Sequence, residues 1–547
     1  MEWWKVNPRS VPFAATLLAA FFFLQPAASV ARPASAVRAA VDDAVERYRL
    51  PGIAVGVVVD GQVQQVELRG ETASGSGDAI ARDTLFKIAS NTKAMTAALL
   101  ARQVDAGLLA WDDPVVKHLP GFRMHEDWVT REMQVRDLLV HNSGLGPGAG
   151  DLMLWPEPNA FTRDEVIAGL AHLKPRWSFR SRYAYDNTLY IVAGEVAAAA
   201  GGAPFDVLLR REVFEPLGLD SCRIGEWRVA EAGSVAAPHA RRDGGWVARP
   251  DGEVVADMPM AAAGGVRCGL DDMLRWVQAW LDPETPGSDG APWLSQTQRE
   301  AAWTAHMPMP LSQRMRDWNR SHYYAYGHGW RLTDVDGTAK VSHTGTLSGM
   351  YSAVTLLPEL GVGFVILING NAGEARTVLE QALSRHFTAG ASAGAGEQAP
   401  EAPRPSLVDH YAGLLAMERS MAAAEATTSD ASAGTDPARR PATAGGMATW
   451  LGRYRDPWFG EVTVCAVDGG VRFASLKSPR LSGAVLLEGE RLLVDFDTLG
   501  ADADAWMEFS RGVEGGSARL VMAKVDPEAD FSYDYEDLAF ERVGDCS

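Results

Sequence analysis

The chain has 547 residues, of which 47% are hydrophobic and 22% charged, a globular composition with ample material for a core. Its 51 lysines and arginines stand against 70 aspartates and glutamates, a net charge of −19, which argues against nucleic-acid binding because that depends on clustered cations. No run of five like charges occurs, which argues against a polybasic membrane patch as well.

The N-terminus carries Lys5 and Arg9, partly offset by Glu2, ahead of an apolar stretch from Val11 to Leu24. That stretch is shorter than the ~20 residues of a comfortable membrane span. Small residues follow, with Ser29-Val30-Ala31 and Ala34-Ser35-Ala36 as alternative cleavage sites. Residues 1–36 are therefore expected to be a signal peptide, and the mature chain to be periplasmic or secreted with no stable membrane span after cleavage. An uncleaved anchor helix is the alternative. No cysteine lies nearby to carry a lipid.

Val37, Val41, Ala44, Val45 and Tyr48 recur at helical spacing, and Pro51-Gly52 ends that helix. The run IAVGVVVDGQVQQVEL predicts a hairpin turning at Asp60-Gly61. From Thr84 to about Asp317 helical patterns and loops dominate, with DEVIAGLAHL and LDDMLRWVQAWL as amphipathic helices. Strand signals return at Trp330. WRLTDVDGTAKVSHTG is expected to turn near Asp336-Gly337, and YSAVTLLPELGVGFVILIN at Pro358 to Gly361. ARTVLEQALSRHF closes the unit as a helix. Strands at both ends of residues 37–387 bracket a helical middle. This predicts a mixed α/β (α+β) fold, with one antiparallel sheet flanked by the terminal helices, a mostly helical second lobe, and a cleft between them.

From Thr388 to Gly446 the composition shifts to Ala, Gly, Pro, Ser, Thr and Glu, a linker in which SLVDHYAGLLAMERSMAAA can form one helix. Residues 447–547 hold closely spaced β-runs, from GRYRD to DLAFERV, separated by turn residues and without a helix, which predicts a small antiparallel β-barrel. The four cysteines fit no zinc pattern. An exported chain could pair Cys222 with Cys268 and Cys465 with Cys546, each pair within one expected domain, while free buried thiols are an equal alternative.

Three short stretches carry candidate chemistry. Ser90 and Lys93 in ASNTK lie one helical turn apart on a shared face. A serine hydroxyl is a poor nucleophile until a base takes its proton, and a lysine buried among Ile88, Ala89, Ala97 and Leu100 would have its pKa lowered toward that role. A helix start would leave the Ser90 N–H free for an oxyanion. Tyr185-Asp186-Asn187 precedes a helical apolar pattern; the phenol near a lysine could relay a proton, and Asn187 could hold both a lysine and a substrate amide, or simply cap the helix. His343-Thr344-Gly345 ends a strand, where Gly345 would admit a ligand close to the backbone, Thr344 offers a hydroxyl, and the N–H of Thr346 would be a second oxyanion donor. Each motif alone has a bland reading as a surface lysine, a core tyrosine or a strand-end turn.

In the order S-x-x-K, Y-x-N, H-T-G, and with DLLVHNSGLG, VFEPLGLDSC, AAGGVRCGLDDMLRW and YGHGW between them, residues 37–387 resemble the serine β-lactamase and penicillin-binding-protein-like hydrolases, in particular the class C β-lactamase-related group (peptidase family S12). The tail resembles the lipocalin-like domain often appended to such enzymes, expected here to cap the cleft or aid assembly. The resemblance implies a β-lactamase/transpeptidase-like fold and an acyl-enzyme route without a metal or cofactor. Ser90 would be the nucleophile, Lys93 would assist its deprotonation, and Tyr185 would act as base and then acid. Asn187, His343, Thr344, Gly345 and Thr346 would bind substrate. Whether Lys93 or Tyr185 is the main base stays open. The substrate would be a small peptide, amide, ester or β-lactam. Dedicated β-lactamases of this type carry lysine where His343 stands, and a histidine is mostly neutral at pH 7. Hydrolysis of an amide, peptide or ester is therefore expected ahead of true β-lactamase activity or a non-catalytic penicillin-binding or scaffold role.

No H-E-x-x-H or H-x-H-x-D cluster is present, so a metal hydrolase is not indicated. A G-x-S-x-G pattern occurs at residues 390–394, but inside the linker with no strand before it, which is not the context of a nucleophile elbow.

Overall fold

The computed structural model describes residues 34–242, 244–288, 290–389, 406–429, 438–497, 503–511 and 517–546. The expected signal segment lies outside these residues except for Ala34-Ser35-Ala36, which sits in the first turn of α1 (Ala34–Tyr48). The G-x-S-x-G match and the rest of linker residues 390–405 and 430–437 also lie outside them.

β1 (Gly52–Val59) and β2 (Gln62–Gly70) form the expected first hairpin, with Asp60 and Gly61 at φ 49° and 73°, both in the left-handed region that a tight hairpin turn demands. Five further strands and a short edge pair complete the sheet: β3 (Met307–Pro308), β4 (Tyr324–Tyr326), β5 (Arg331–Val335), β6 (Thr338–Leu347), β7 (Met350–Leu357) and β8 (Val362–Ile368). The order β2-β1-β8-β7-β6-β5-β4-β3 is antiparallel throughout, built from both ends of the unit as expected. β1 reads as an unbroken apolar run because both its faces are covered. Ile53, Val55 and Val57 join the core under the terminal helices, while Ala54 and Val58 join the core that continues into the helical lobe.

The terminal layer is α1, α5 and α6, where α5 is Gly373–Thr388 and α6 is Leu407–Ser429. The sequence places α6 in a linker; in the structure it docks on this layer. Val408, Tyr411, Ala412 and Leu415 make an i, i+3, i+4, i+7 stripe that is buried against α1 and α5, and Tyr411 packs 5.1 Å from the Trp318 ring. The lobe contains α2 (Thr92–Asp105), α3 (Thr188–Gly201) and α4 (Leu270–Leu281). The DEVIAGLAHL helix is shorter than its pattern and ends at Gly169, behind a Thr162–Glu165 capping box. Among the described residues no single helix is long and apolar enough to cross a membrane.

The C-terminal strands β9 (Gly452–Asp456), β10 (Gly460–Val467), β11 (Gly470–Ser475), β12 (Ser482–Glu488), β13 (Arg491–Phe496), β14 (Ala505–Arg511), β15 (Ala518–Lys524) and β16 (Ala539–Gly544) form an antiparallel barrel. It runs β12-β11-β10-β9-β16-β15-β14-β13 and closes by pairing β13 with β12. Phe459, Phe473, Phe496, Met522 and Tyr535 fill it, leaving a cavity of about 10 Å³, too small for a ligand.

Cys222 pairs with Cys268 in the lobe and Cys465 with Cys546 in the barrel. The first closes a loop with a sequence separation of 46, for which loop-closure entropy gives at most about 4 kcal/mol of stabilisation. Replacing Cys222 and Cys268 by serine is expected to lower the unfolding free energy by about 2–4 kcal/mol, read from guanidinium melts of oxidised wild type and variant. Identical melts would show that the bridge constrains nothing.

Candidate active site

Ser90 sits in a single turn, Ala89–Asn91, that feeds directly into α2. Ala89 takes φ 48°, a left-handed conformation that is uncommon without a glycine and that turns the chain sharply just before Ser90. The turn is pinned to β7: Asn91 Nδ2 donates to Ser352 Oγ at 2.8 Å, and Ser352 Oγ donates to the Ile88 carbonyl at 2.7 Å. Ser90 itself is half-buried at the floor of a cleft of about 1370 Å³.

Lys93 is fully buried. Its Nζ has three polar neighbours: Asn187 Oδ1 at 2.7 Å, the Ala263 carbonyl at 2.8 Å and Ser90 Oγ at 3.2 Å. Two of these are carbonyl oxygens and accept only, so they take two N–H groups of the amine. The third position faces the serine hydroxyl. Burial, with Arg331 adding to it and Asp151 opposing it, pulls the amine down to about 7. The AAGGV stretch owes its place to α2: Thr96 Oγ1 donates to the Ala262 carbonyl and Val266 N–H to Thr92 Oγ1, which delivers the Ala263 carbonyl to Lys93.

Tyr185 and Asn187 arrive from the loop before α3. Asn187 occupies the N-cap position of α3, but its side chain makes no capping bond; its neighbour Asp186 satisfies the helix end instead, accepting from Leu189 N–H at 3.2 Å and from Thr188 Oγ1 at 2.7 Å. Asn187 is thereby free to turn its Oδ1 to Lys93 and its Nδ2 to Asp151 Oδ2 at 2.9 Å, leaving a second amide hydrogen. The Tyr185 side chain stands beside Ser90 at the cleft, and its ring centroid lies 4.9 Å from Lys93 Nζ. Burial pushes its phenol up to about 12, against the opposing influence of Arg331 and Ser90, so it is protonated at neutral pH. His141, from the DLLVHNSGLG stretch, backs this ring at 4.3 Å and accepts the Asp186 N–H on Nδ1 at 3.1 Å.

The H-T-G strand differs from expectation at two of its positions. Thr344 and Thr346 line the cleft; His343 and Gly345 stand behind it. His343 Nδ1 lies 2.7 Å from the Thr344 carbonyl, which can only accept, so Nδ1 carries the proton and Nε2 accepts from Tyr326 Oη at 2.8 Å. Burial, then the Arg331 charge, holds the ring well below the usual histidine range, so it is neutral. It is a buried support for the strand. Gly345 is bare for the protein's own sake: a Cβ there would lie 2.1 Å from the Ile88 carbonyl and 2.4 Å from Ser352 Oγ. β6 therefore runs hard against the Ser90 turn. Pairing of β6 with β5 stops at Ser342–Arg331, so residues 343–347 present an edge with no β5 partner.

Two arginines at that edge escape motif reading. Arg331 Nη1 donates to Thr344 Oγ1 at 2.7 Å, and Arg376 Nη1 donates to the Gly345 carbonyl and Thr346 Oγ1, each at 2.8 Å. Burial pulls Arg376 down to about 10, which leaves it a cation at pH 7. Positive charge therefore stands at the cleft although position 343 holds no lysine. Arg331 directly follows YGHGW, the one sequence signal that could have found it; Arg376 has none.

Residues 37–387 match the family model described as Beta-lactamase. The chain belongs to the β-lactamase family. Over 327 residues it is 31% identical to a protein named penicillin-binding protein 4 from Amycolatopsis lactamdurans, covering 59% of this chain and 82% of that one. It is 25% identical over 331 residues to the D-alanyl-D-alanine-carboxypeptidase/endopeptidase AmpH of Escherichia coli strain K12, covering 57% and 78%. The octameric penicillin-binding protein homologue from Pyrococcus abyssi superposes with a TM-score of 0.56 at 17% identity, covering 93% of this chain and 100% of that one, a likeness of fold alone. The protein is accordingly a serine hydrolase of this fold, of the general acyl-transfer type.

Proposed function

We propose that the protein is an exported hydrolase that cleaves an amide, peptide or ester bond through an acyl-enzyme on Ser90. The observation that carries this reading is the Lys93 amine, with two N–H groups held by carbonyl oxygens and its third position turned to Ser90 Oγ. When Lys93 is neutral, that position is a lone pair. It takes the Ser90 proton as Oγ attacks the substrate carbonyl carbon. The carbonyl π electrons move to its oxygen, which the N–H groups of Ser90 and Thr346 stabilise. On collapse the leaving nitrogen or oxygen takes a proton from the Tyr185 phenol, which is protonated and beside Ser90, and the proton held on Lys93 restores Tyr185. Water, deprotonated by the same pair, then releases the acid and regenerates Ser90. Of the two bases left open by the sequence, a lysine near 7 and a phenol near 12 favour Lys93.

Arg331 and Arg376 beside Thr344 and Thr346 favour substrates with a carboxylate next to the scissile bond, as in a short peptide, consistent with a carboxypeptidase/endopeptidase among the relatives. The same pair would also take a β-lactam carboxylate, so true β-lactamase activity is the second reading. The two disulfides fit an oxidising, extracytoplasmic compartment.

A fluorophosphonate probe followed by peptide mapping is expected to label Ser90 and no other residue, and a panel of nitrocefin, D-amino-acid peptides and acyl esters will rank the substrates. Label elsewhere, or full labelling of Ser90→Ala, sinks the reading. The pH profile of kcat/KM is expected to rise through about pH 7, because the reactive lysine is the neutral form, populated as pH rises past its pKa. It should then stay level until the phenol titrates. A half-point near pH 5 or pH 9 would assign the base to another group.

A further inference from the structure

Among the described residues the barrel interior is filled by apolar and aromatic side chains around a cavity of about 10 Å³, which turns attention to its surface. Its connection between β15 and β16, residues 525–538, reaches into the catalytic cleft, where Asp530, Phe531, Ser532 and Tyr533 form part of the lining. Asp534, 2% exposed, accepts Gly150 N–H on Oδ2 at 2.6 Å and Leu152 N–H on Oδ1 at 3.0 Å. Gly148, at φ +71°, passes so close that a Cβ would lie 2.7 Å from the Phe531 carbonyl. The turn Asp151–Met153 is thus gripped by the barrel, with Leu152 set among the apolar residues at the barrel's end.

The same turn faces the catalytic lysine from its other side. The Ser532 side chain stands beside the Asp151 carboxyl and favours its charged form, Asp151 Oδ2 accepts from Asn187, and Asn187 accepts from Lys93. Hydrogen bonds therefore run from Asp151 through Asn187 and Lys93 to the nucleophile Ser90, with the barrel hydroxyl of Ser532 beside the first member. Phe531 stands beside it, its ring edge-on to Tyr185 at 5.6 Å, and it remains 40% exposed toward the cleft. A large aromatic held against the Tyr185 ring and left uncovered is a contact surface for something apolar that enters the cleft.

We propose that the barrel segment 525–535 is a working part of the active site: Ser532 and Asp534 position Lys93 through Asp151 and Asn187, and Phe531 is the wall against which an apolar substrate group packs. This rests on the Ser90 acyl-enzyme reading. The barrel is on this view a specificity and positioning element for the hydrolase, with Ser532 and Asp534 as positioning residues. The titratable and charged groups facing Lys93 are Asp151 from the turn, His141 from the DLLVHNSGLG stretch, Tyr185 and Asp186 from the loop before α3, Tyr190 from α3, Arg331 from β5 and His343 from β6. Of these, Asp151 and Tyr185 are in reach of the barrel, Tyr185 through Phe531 and Asp530 and Asp151 through Asp534; burial first, then the Asp534 carboxylate, pushes the Asp151 carboxyl well above the usual range, and burial raises Asp534 as well. Removing the Asp534 charge favours ionised Asp151, and a charged Asp151 favours the ammonium form of Lys93.

The test uses the full chain. Phe531→Ala, Ser532→Ala, Ser532→Thr and Asp534→Asn are compared with wild type on p-nitrophenyl acetate and p-nitrophenyl phenylacetate across a pH series, with melting curves for each. Phe531→Ala is expected to lower kcat/KM for the phenylacetate by about tenfold and that for the acetate by less than about twofold. Ser532→Ala is expected to lower kcat by about tenfold at unchanged KM, with Ser532→Thr recovering most of it. Asp534→Asn is expected to move the rise in kcat/KM to higher pH. If Asp534→Asn does not fold, the Ser532 pair carries the decision. Equal losses on both esters for Phe531→Ala, together with an unmoved kcat for Ser532→Ala, would overturn the proposal. Failure of wild type to label at Ser90 would instead remove the reading on which it rests.

Discussion

Replacing Lys93 by methionine is expected to lower kcat/KM by about 10³- to 10⁴-fold, while Ser90→Ala takes hydrolysis to the uncatalysed background. Methionine keeps the length and apolar body of the side chain and removes only the base. Its loss leaves the Asn187 Oδ1 and Ala263 carbonyl oxygens without their donor, at about 1–3 kcal/mol each for a buried acceptor. That loss is offset by no longer burying an amine that would rather be charged in water. Stability is therefore expected to change far less than activity. The rate of Ser90 phosphonylation by a fluorophosphonate and a melting curve on the same sample separate the two. A variant that is phosphonylated within tenfold of the wild-type rate would show that Ser90 is activated by something other than this amine. Because the residues act as one unit, Ser90→Ala and Lys93→Met combined should be no worse than Ser90→Ala alone.

The second large effect is expected at Gly345, which stands behind the cleft lining. Adding a single methyl in Gly345→Ala places a Cβ 2.1 Å from the Ile88 carbonyl, 2.4 Å from Ser352 Oγ and 3.0 Å from Ala89 Cβ. None of these can give way cheaply. The Ile88 carbonyl already accepts from Asn91 N–H and Ser352 Oγ, so the backbone of the Ser90 turn or of β6 has to move. A displacement of about 1 Å at a nucleophile costs on the order of 10²-fold in rate, and overpacking at a buried contact costs about 1–3 kcal/mol in stability. Steady-state kinetics and denaturant melts of Gly345→Ala would read both. A fully active, equally stable variant would mean that β6 is free to slide away from the turn.

Much of the layout was legible before any coordinates. The three hairpins announced themselves through Asp60-Gly61, Asp336-Gly337 and Pro358–Gly361 between apolar runs, because turn chemistry and two-residue periodicity are local properties. The eight β-runs of the tail closed into a barrel for the same reason. Local pattern failed where two neighbours were chemically equivalent. Asp186 and Asn187 are both good helix caps, and only the position of Lys93 and Asp151 decides which one caps and which one faces the site. It failed again at His343, since alternation along a strand says that two residues face opposite ways without saying which side holds the cleft. The α6 stripe was present in the sequence, but a helix in an Ala- and Gly-rich stretch carries no mark of the surface waiting for it.

By itself, then, the sequence determined the elements, their order and the Ser90–Lys93 pair, because a helical turn brings residues three apart together whatever surrounds them. Only the tertiary structure decided what that pair is able to do. A lysine becomes a base when water is kept from it and its protons are held by fixed carbonyls, and here those constraints come from Asn187 and Ala263. Arg331, Arg376 and the Phe531–Asp534 segment reach the same cleft from strands, helices and a barrel that no local spacing connects. Their convergence depends on how apolar faces pack across the whole chain, a property that no short stretch of it contains.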